Sequence, residues 1–484
     1  MPAYKARASV KIFSPPAPKG EVKFKSGILV LLLAAPVAAY GHSEFIFPKI
    51  FSPAELPNTG FAVLNPDSIT ASVSFFLLSA GGANLTSNPP PTFQIPSGGQ
   101  LTRLGTDLFP NASAAGWVYA VIDTEGAQAF WLNYDSGITF LDGAEADQLD
   151  TIGPDQVIPL VAGQAELNVI NPNGIRVPLT IRLFGDNGEL ARAFTSELPV
   201  AGGLQTPVST IFPAADMTQA RYIRVRTPGA PIGCLVLIRG FLVTRESAVV
   251  NGANVTTRNE VNFPHVINGA LTGSNYTTVI GVTNLAPFDQ SVAITFHPNE
   301  GNPIVIVRTI ASNGALRDTA QSLFGLASDF QTGWVSVAGT AQLTAAVAYA
   351  DSVAGGLAVV PGSISQTSLF LMHIADGAPQ WQTGLALLNP GTLPANVEID
   401  ALDPSGSLIG RAFLFLDPGK KIANVIHELI PQARGVNGGF VFIRSTNGVP
   451  LCGMELFYTE DQKVLSNVAA GRLLPGLAYS PPIQ

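Results

Sequence analysis

Short runs in which hydrophobic and polar residues alternate cover most of the chain, and turn residues separate them. In residues 290–296, for example, Val292, Ile294 and Phe296 fall on one face of an extended strand, and the turn at 297–301 follows. Alternation of this kind predicts half-buried antiparallel strands. The long amphipathic helices that join parallel strands do not separate these runs, which argues against a parallel α/β fold.

A strand that ends in asparagine recurs four times at a nearly constant spacing. The four residues are Asn65, Asn171, Asn284 and Asn389. They are 106, 113 and 105 residues apart (65 to 171, 171 to 284, 284 to 389). Further along each period an aromatic residue opens a strand, at Trp117, Tyr222, Trp334 and Phe440, and is interpreted as a core anchor rather than a ligand platform. Self-similarity at a fixed period indicates a tandem array, and this period is long enough for each unit to hold a core.

These markers divide the chain into a leader, four repeats and a tail. Each repeat has about seven predicted strands and one short helical stretch, which fits an immunoglobulin-like (Ig-like) antiparallel sandwich. In the third repeat this stretch covers 318–326 and is predicted to place Leu323 and Phe324 inward. We therefore predict an all-β protein of four tandem Ig-like β-sandwiches of about 105 residues each. The predicted bounds are 1–41 for a secretory signal peptide, 44–154, 155–260, 261–366 and 367–475 for the repeats, here named segments 1 to 4, and 476–484 for the tail.

The strand ending in Asn-Pro, the hairpin turn after it and the later Leu-Phe pair also suggest a family. In a secreted chain they resemble the tandem Ig-like sandwich repeats of secreted bacterial surface proteins. The resemblance covers roughly residues 44–475. It implies an adhesive, scaffolding or envelope-associated protein, and it identifies no ligand residues in this chain.

The N-terminal composition predicts export. Lysines precede an uncharged apolar stretch at 27–41 that ends in small residues, which is typical of a secretory signal. This stretch is shorter than the ~20 residues that a spanning helix needs, so we expect no membrane span after cleavage. The chain carries a net charge of −8, which argues against nucleic acid as a partner. We expect an extracellular or cell-surface location, with an uncleaved anchor as the alternative.

No catalytic motif stands out, and we predict that the protein is not an enzyme. The only cofactor considered is Ca²⁺, at an acidic cluster in the predicted linker between segments 1 and 2. Carboxylate oxygens are suitable Ca²⁺ ligands, but the simpler interpretation is a solvated acidic loop. The two cysteines, Cys234 and Cys452, lie in apolar strands and are interpreted as small core residues. The Ca²⁺ candidates are Asp142, Glu145, Asp147 and Asp150.

Two tryptophans, Trp131 and Trp381, do not recur between segments and are candidates for ligand contact. Either ring could stack on a sugar, although partial burial on its own sandwich is the simpler interpretation. The leading hypothesis is a secreted, non-enzymatic structural or adhesive protein. Its four sandwiches would form a rod or a compact array that associates with itself or with an extracellular surface or glycan. The alternative is a secreted carbohydrate-binding or accessory module protein, and a secreted hydrolase is the third hypothesis.

Overall fold

Antiparallel β-strands account for most of the protein in a computed structural model. The model describes residues 41–160, 164–240, 243–244, 246–255, 258–271, 273–377, 381–472 and 479. Strands make up 55% and helices 6% of the chain, which confirms the predicted all-β class. Apart from Gly41 and Tyr479, the predicted signal peptide and tail lie outside the described residues.

Segments 1 and 2 each contain a long series of short strands. Segment 1 contains β1 (Ser43–Phe51), β2 (Thr59–Leu64), β3 (Ala71–Ser79), β4 (Thr92–Ile95), β5 (Gln100–Leu104), β6 (Gly116–Ile122), β7 (Gln128–Tyr134), β8 (Leu141–Glu145) and β9 (Asp147–Gln148). Segment 2 contains β10 (Asp155–Pro159), β11 (Gln164–Ile170), β12 (Val177–Gly185), β13 (Gly188–Glu189), β14 (Phe194–Leu198), β15 (Gly203–Pro207), β16 (Tyr222–Arg226), β17 (Gly233–Arg239), β18 (Ser247–Asn251) and β19 (Ala253–Asn254).

Segments 3 and 4 contain comparable series. Segment 3 contains β20 (Glu260–Leu271), β21 (Ser274–Asn284), β22 (Gln290–Pro298), β23 (Ile304–Ile310), β24 (Ala315–Thr319), β25 (Gln331–Gly339), β26 (Leu343–Asp351) and β27 (Leu357–Pro361). Segment 4 contains β28 (Ser368–Leu371), β29 (Trp381–Leu388), β30 (Ala395–Leu402), β31 (Leu408–Leu416), β32 (Lys421–Val425), β33 (Phe440–Ser445), β34 (Cys452–Thr459), β35 (Leu465–Ser466) and β36 (Gly471–Arg472).

The strand order within the sheets repeats along the chain. In segment 1 the orders are β4-β3-β6-β1-β9 and β5-β2-β7-β8, and in segment 4 they are β31-β30-β33-β28-β36 and β32-β29-β34-β35. Segment 2 has the same two orders with β13 added beside β12. In segment 3 the long strand β20 pairs in both sheets, so the strands form one continuous sheet.

Short helices interrupt the strands at the predicted Leu-Phe positions. They are α1 (Gly105–Leu108), α2 (Val208–Ile211), α3 (Ala320–Phe324) and α4 (Ile426–Leu429). In α3 the buried side chains of Leu323 and Phe324 point into the sandwich, as the sequence predicts. Within the described ranges, no helix is both long enough and apolar enough to cross a membrane.

The four recurrent asparagines have equivalent surroundings, which confirms that they mark equivalent strand ends. All four side chains are completely buried. Each Nδ2 donates to the carbonyl four residues later, at 2.8 Å in Asn65–Ile69, Asn171–Ile175, Asn284–Phe288 and Asn389–Leu393. Each Oδ1 accepts from the backbone N–H two residues later, at 2.8–3.0 Å. The asparagine thus fixes the turn that follows its strand.

The recurrent aromatic residues are buried, but they lie at contacts between segments and not in a core formed by one segment alone. Trp117 donates from Nε1 to the Ala201 carbonyl at 3.0 Å, which joins segment 1 to segment 2. The same contact joins segment 3 to segment 4, where Trp334 donates to Gly419 at 2.9 Å. At the corresponding position Tyr222 donates from its hydroxyl to Asn313 at 2.8 Å. The prediction of buried anchors is confirmed, but the clusters that these residues anchor include residues of a neighbouring segment.

The hydrophobic clusters also cross the predicted segment boundaries. Leu235 and Leu237 of segment 2 belong to the cluster of segment 1, and Val279 of segment 3 belongs to that of segment 2. Phe130 of segment 1 shares a cluster with Phe370 of segment 4. Strand β18 contacts both β8 and β27, and strand β35 contacts both β27 and β8. These four strands therefore form a closed ring of contacts. The described residues therefore form a compact array, and the rod alternative is wrong for them.

We predict that Asn284→Ala destabilises the fold by about 1–3 kcal/mol, because it leaves buried backbone carbonyls without their donor. Nδ2 of Asn284 donates to Phe288, Ile310 and Ala311, and Oδ1 accepts from Ala286. The measurement is thermal and urea unfolding of the purified protein. Asn299→Ala, at an exposed turn position of the same segment, is the control and should change stability by only a few tenths of a kcal/mol. Equal stability of both variants would contradict the structural role.

Candidate functional site

The acidic residues proposed as Ca²⁺ ligands lie on strands and not in an open linker. Asp142 and Glu145 belong to β8, and Asp147 belongs to β9. Two residues three positions apart on a strand project to opposite faces, so Asp142 and Glu145 cannot converge on one ion. Only Asp150 is exposed at a turn. The prediction of an acidic linker is corrected by this placement.

Two of these carboxylates, Asp142 and Glu145, have structural partners in other segments. Asp142 is fully buried and forms an ion pair with Arg239 of segment 2, with 2.7 Å between Oδ2 and Nη2. Glu145 accepts a hydrogen bond from the Ala469 backbone at 3.3 Å. Among the described residues no group of three or more His, Cys, Asp or Glu side chains could hold a metal ion. Asp142 and Glu145 thus join segments, and the four candidates are not assembled into a metal centre within the described residues.

We predict that Ca²⁺ does not change the melting temperature. A ligand that binds only the folded state would raise it, but the Asp142 carboxylate is already neutralised by Arg239. The measurement is thermal unfolding in millimolar Ca²⁺ and in excess chelator. A saturable rise in Ca²⁺ that is lost in Asp150→Asn would contradict this assignment.

Of the two tryptophans proposed for ligand contact, Trp131 is not available at the surface. Its side chain is completely buried, and its ring packs edge-on against Phe51 with 5.3 Å between centroids. The ammonium of Lys49 lies 5.5 Å from the Trp131 ring. Trp131 is therefore a core residue, and its role as a platform is corrected. Trp381 begins β29 and is only partly buried, so its role in ligand contact stays a prediction.

The two cysteines are buried and free, as the interpretation as core residues requires. Burial raises the pKa of Cys452 to about 11, so its thiol stays protonated at neutral pH. Thiolate is the reactive form, so Cys452 is unsuited to act as a nucleophile.

Glu455 is a buried carboxyl that sequence reasoning missed. It lies on β34 without measurable exposure, and its Oε2 accepts from the Met372 backbone at 3.0 Å. Its Oε1 has no hydrogen-bond partner among the described residues. Burial raises the pKa of Glu455 well above its ordinary value, because the charged form loses its hydration.

We predict that Glu455→Gln raises the melting temperature at pH 7. A carboxyl whose pKa is raised by folding loses its stabilising effect as the pH rises above about 4.3, the ordinary value. The gain of the variant should therefore shrink toward pH 4, where the parent carboxyl is protonated in both states. The measurement is melting temperature against pH, with Glu460→Gln at an exposed position as the control. A gain that does not depend on pH would contradict the explanation.

A cluster of arginines covers the outer face of one sheet in segment 2. Arg182 on β12 and Arg224 on β16 are directly paired across the two strands, and Arg226 pairs with Thr180. Residues two apart on a strand share a face, so the three guanidinium groups lie on the same surface. A cavity of about 260 Å³ opens there, and Ser312 and Asn313 of segment 3 complete its wall.

Two carboxylates partly neutralise this cluster. Asp155 accepts from Arg224 through both oxygens at 2.8 and 2.7 Å, and it also lies 3.1 Å from Nε of Arg226. Glu189 lies 3.3 Å from Arg182. The hydrogen bond from Asp155 raises the pKa of Arg224, which keeps that guanidinium charged. Three arginines face two carboxylates, so the surface keeps one excess positive charge.

A second feature that sequence reasoning missed is a strand with exposed aromatic side chains. Phe413 and Phe415 on β31 are 70% and 65% exposed. β31 is the terminal strand of its sheet and, among the described residues, pairs only with β30. Val305 and Val307 on β23, the terminal strand in segment 3, are 60% and 57% exposed. Unpaired backbone groups and apolar side chains thus coincide at two sheet edges.

The repeats contain a signal that could have found both features. Eleven residues after the recurrent asparagines lie Phe76, Arg182, Thr295 and Asp400. The residues nine positions after the asparagines pair with residues on the adjacent outer strand. These partners are Thr92, Thr195, Val307 and Phe413. Arg182 and Phe413 therefore depart from their equivalents, which shows that the shared fold does not require them.

Comparisons with known proteins give no family. No family model matches the chain, and no curated protein matches it. Among solved structures, Thermotoga maritima 1070 is 16% identical over 22% of this chain and 91% of its own, with a TM-score of 0.19. A tetra-tandem repeat from the extending region of a large adhesion protein is 11% identical over 87% of this chain and 97% of its own, with a TM-score of 0.10. Likenesses this weak carry no argument about function.

Proposed function

We propose that this chain is a secreted, non-enzymatic structural or adhesive protein that assembles with copies of itself at the cell surface or in the extracellular matrix. Its scaffold is four Ig-like sandwiches that pack as a closed array. Equivalent asparagine environments and the recurring strand orders support four units. The observation that carries the self-association is the exposed apolar edge strand β31.

An edge strand with little protection is a template for another chain. β31 has a register irregularity opposite Ala401 and Leu402, but from Gly410 to Leu416 its pairing with β30 is regular. Soluble proteins usually protect such edges with charges, prolines or bulges, because the free N–H and C=O groups pair readily. In β31 the outward-facing side chains next to the edge are Phe413 and Phe415, and Arg411 is the only charged residue of the strand. An edge of this composition favours addition of a strand from a partner.

The local charge makes a second copy the suitable partner. The chain is acidic overall, so copies repel one another at long range. Beside β31, however, Arg411 and Arg444 pair with Glu398 and Asp400 at 2.5–3.0 Å, and the two positive charges cancel the two negative ones. The edge can therefore approach its own copy without net charge repulsion, and antiparallel pairing of two β31 strands gives a two-fold contact.

The edge strand β23 supplies a second contact on the same molecule. Its exposed apolar residues are Ile304, Val305 and Val307. A molecule with two separate self-pairing edges forms open chains and not closed dimers, provided that both edges are used. The proposal thus includes filaments or sheets at higher protein concentration.

We predict that the double variant Phe413→Thr, Phe415→Gln abolishes association through β31. These are the residue types that segment 1 carries at the equivalent positions, Thr92 and Gln94, so the fold should tolerate them. The measurement is sedimentation velocity of the full chain over a range of concentrations, with electron microscopy of the concentrated sample. We expect smaller species and no long chains from the variant.

The matched control is Leu393→Thr. Leu393 is as exposed as Phe415, at 65%, but it lies in a turn and not on an edge strand. Association of the control should equal that of the parent, and high salt should not dissolve the parent assemblies, because the contact is apolar. A parent protein that stays monomeric at all concentrations, or a double variant that assembles normally, would refute the proposal.

A further inference from the structure

We infer that the arginine cavity of segment 2 is a binding site for a small ligand that carries an oxyanion group, such as the carboxylate of an acidic sugar. The cavity is separate from the edge strands, so this inference does not depend on self-association. It rests on the register of the arginines, their incomplete neutralisation, the wall of the cavity and the absence of arginine from the positions equivalent to Arg182 and Arg224. Arg226 does recur, as Arg444 of segment 4, and is not part of that argument.

The register places two like charges directly opposite each other. Arg182 and Arg224 are cross-strand neighbours on β12 and β16. Like charges at such positions destabilise a sheet, so an anion between them removes a cost that the free protein carries. Tyr119, Ser336 and Phe442 occupy the place of Arg224 in the other segments, where they face Phe76, Thr295 and Asp400.

The two internal carboxylates leave donors unused. Asp155 is occupied by Arg224 and Arg226, and Glu189 makes one contact with Arg182 at 3.3 Å. Nε of Arg182 is buried and has no hydrogen-bond partner among the described residues. A guanidinium presents a planar set of donors that matches carboxylate, sulfate and phosphate oxygens. Nε itself is shielded, but 44% of the Arg182 side chain is exposed, so its outer N–H groups suit an oxyanion that enters from the cavity.

The opposite wall is held in place and is polar. The Asn313 carbonyl accepts from the hydroxyl of Tyr222, which anchors the 312–313 turn of segment 3 against segment 2. Ser312 accepts at its hydroxyl from Nδ2 of Asn313 at 3.1 Å, so its own O–H proton can point to a ligand. Phe184 also lines the cavity, but its side chain is only 4% exposed, and its ring stacks on Tyr222 with 4.5 Å between centroids.

The size and composition of the cavity set the class of ligand. About 260 Å³ is slightly below the 300–1,000 Å³ of sites for drug-sized molecules, so the cavity holds one small group. Arginine donors and a hydroxyl fit a carboxylate or sulfate ester on a small polar ring. Acidic sugars have this chemistry, and free sulfate or phosphate shares only the oxyanion part of it.

The test is isothermal titration calorimetry of the full chain with glucuronate, sulfate, phosphate and, as the neutral comparison, glucose. We expect saturable binding of one oxyanion per chain and no binding of glucose. Glucuronate alone would support a carboxylate site, and binding of all three anions would support a general oxyanion site. Glucose binding equal to that of glucuronate would overturn the inference.

Two variants with opposite expected effects make the test specific. Arg182→Thr, which introduces the residue type of Thr295, should weaken binding about tenfold or more, because a charged hydrogen-bond donor is lost. Glu189→Gln should strengthen binding about two- to fivefold, because it frees Arg182 from an exposed ion pair. A misfolded protein cannot produce this gain, so Glu189→Gln decides the question if Arg182→Thr fails to fold.

The matched control is Arg176→Gln. Arg176 lies in the same segment and also pairs with a glutamate, Glu197 at 3.1 Å, but it does not line the cavity. Its affinity for glucuronate should equal that of the parent. Equal weakening by Arg176→Gln and Arg182→Thr would reduce the effect to overall charge and overturn the inference. The same follows if neither the parent nor Glu189→Gln binds any of the anions.

Discussion

The buried asparagine side chain at the end of one strand in each segment is the interaction on which the other contacts depend. Its amide donates to the carbonyl four residues later, and its backbone N–H donates to a second turn, at Gly99, Gly202, Gly314 or Lys420. One asparagine, through its side chain and its backbone N–H, thus sets the distance between two turns that are far apart in sequence. In water the same groups would form hydrogen bonds to solvent. The amide therefore stabilises the turns only because it is buried away from water.

The turns held in this way form the contacts between segments. Ala80 of segment 1 accepts a backbone hydrogen bond from Gly203 of segment 2, and Pro404 of segment 4 accepts one from Gln100 of segment 1. The donor in each case directly follows the residue that accepts from the asparagine. A change at one asparagine therefore alters the sandwich and also the surface that meets its neighbour. Segments joined in this way stabilise one another, unlike independent domains that are connected only by a flexible linker.

Periodicity in the sequence was sufficient to predict the all-β class, the strand-ending role of the asparagines and the short helix that contains Leu323. It could not show where the recurrent aromatic residues point, because Trp334 in a core and Trp334 between two segments give the same pattern of hydrophobic positions. For the same reason Trp131 looked like a candidate platform although it is fully buried. The prediction of an acidic linker near 142–150 was wrong because Asp142 pairs with Arg239, which is 97 positions away. Neighbouring residues in the sequence carry no information about so distant a partner.

The departures from the repeat are better indicators of chemistry than unusual residue types. Arg182 and Phe413 lie on the same outer sheet of their segments. No other segment has an arginine at the position of Arg182, and segments 1 and 2 have threonine at the position of Phe413. Because the strand orders recur between segments, one sheet can hold a cationic cavity while another keeps an apolar edge. Both surfaces are nearly balanced in local charge, with three arginines facing two carboxylates in segment 2 and two facing two in segment 4. The residues that give the chain its net charge of −8 therefore lie elsewhere. A partner within a Debye length of about 8 Å of either surface interacts with the local charges and not with that overall charge.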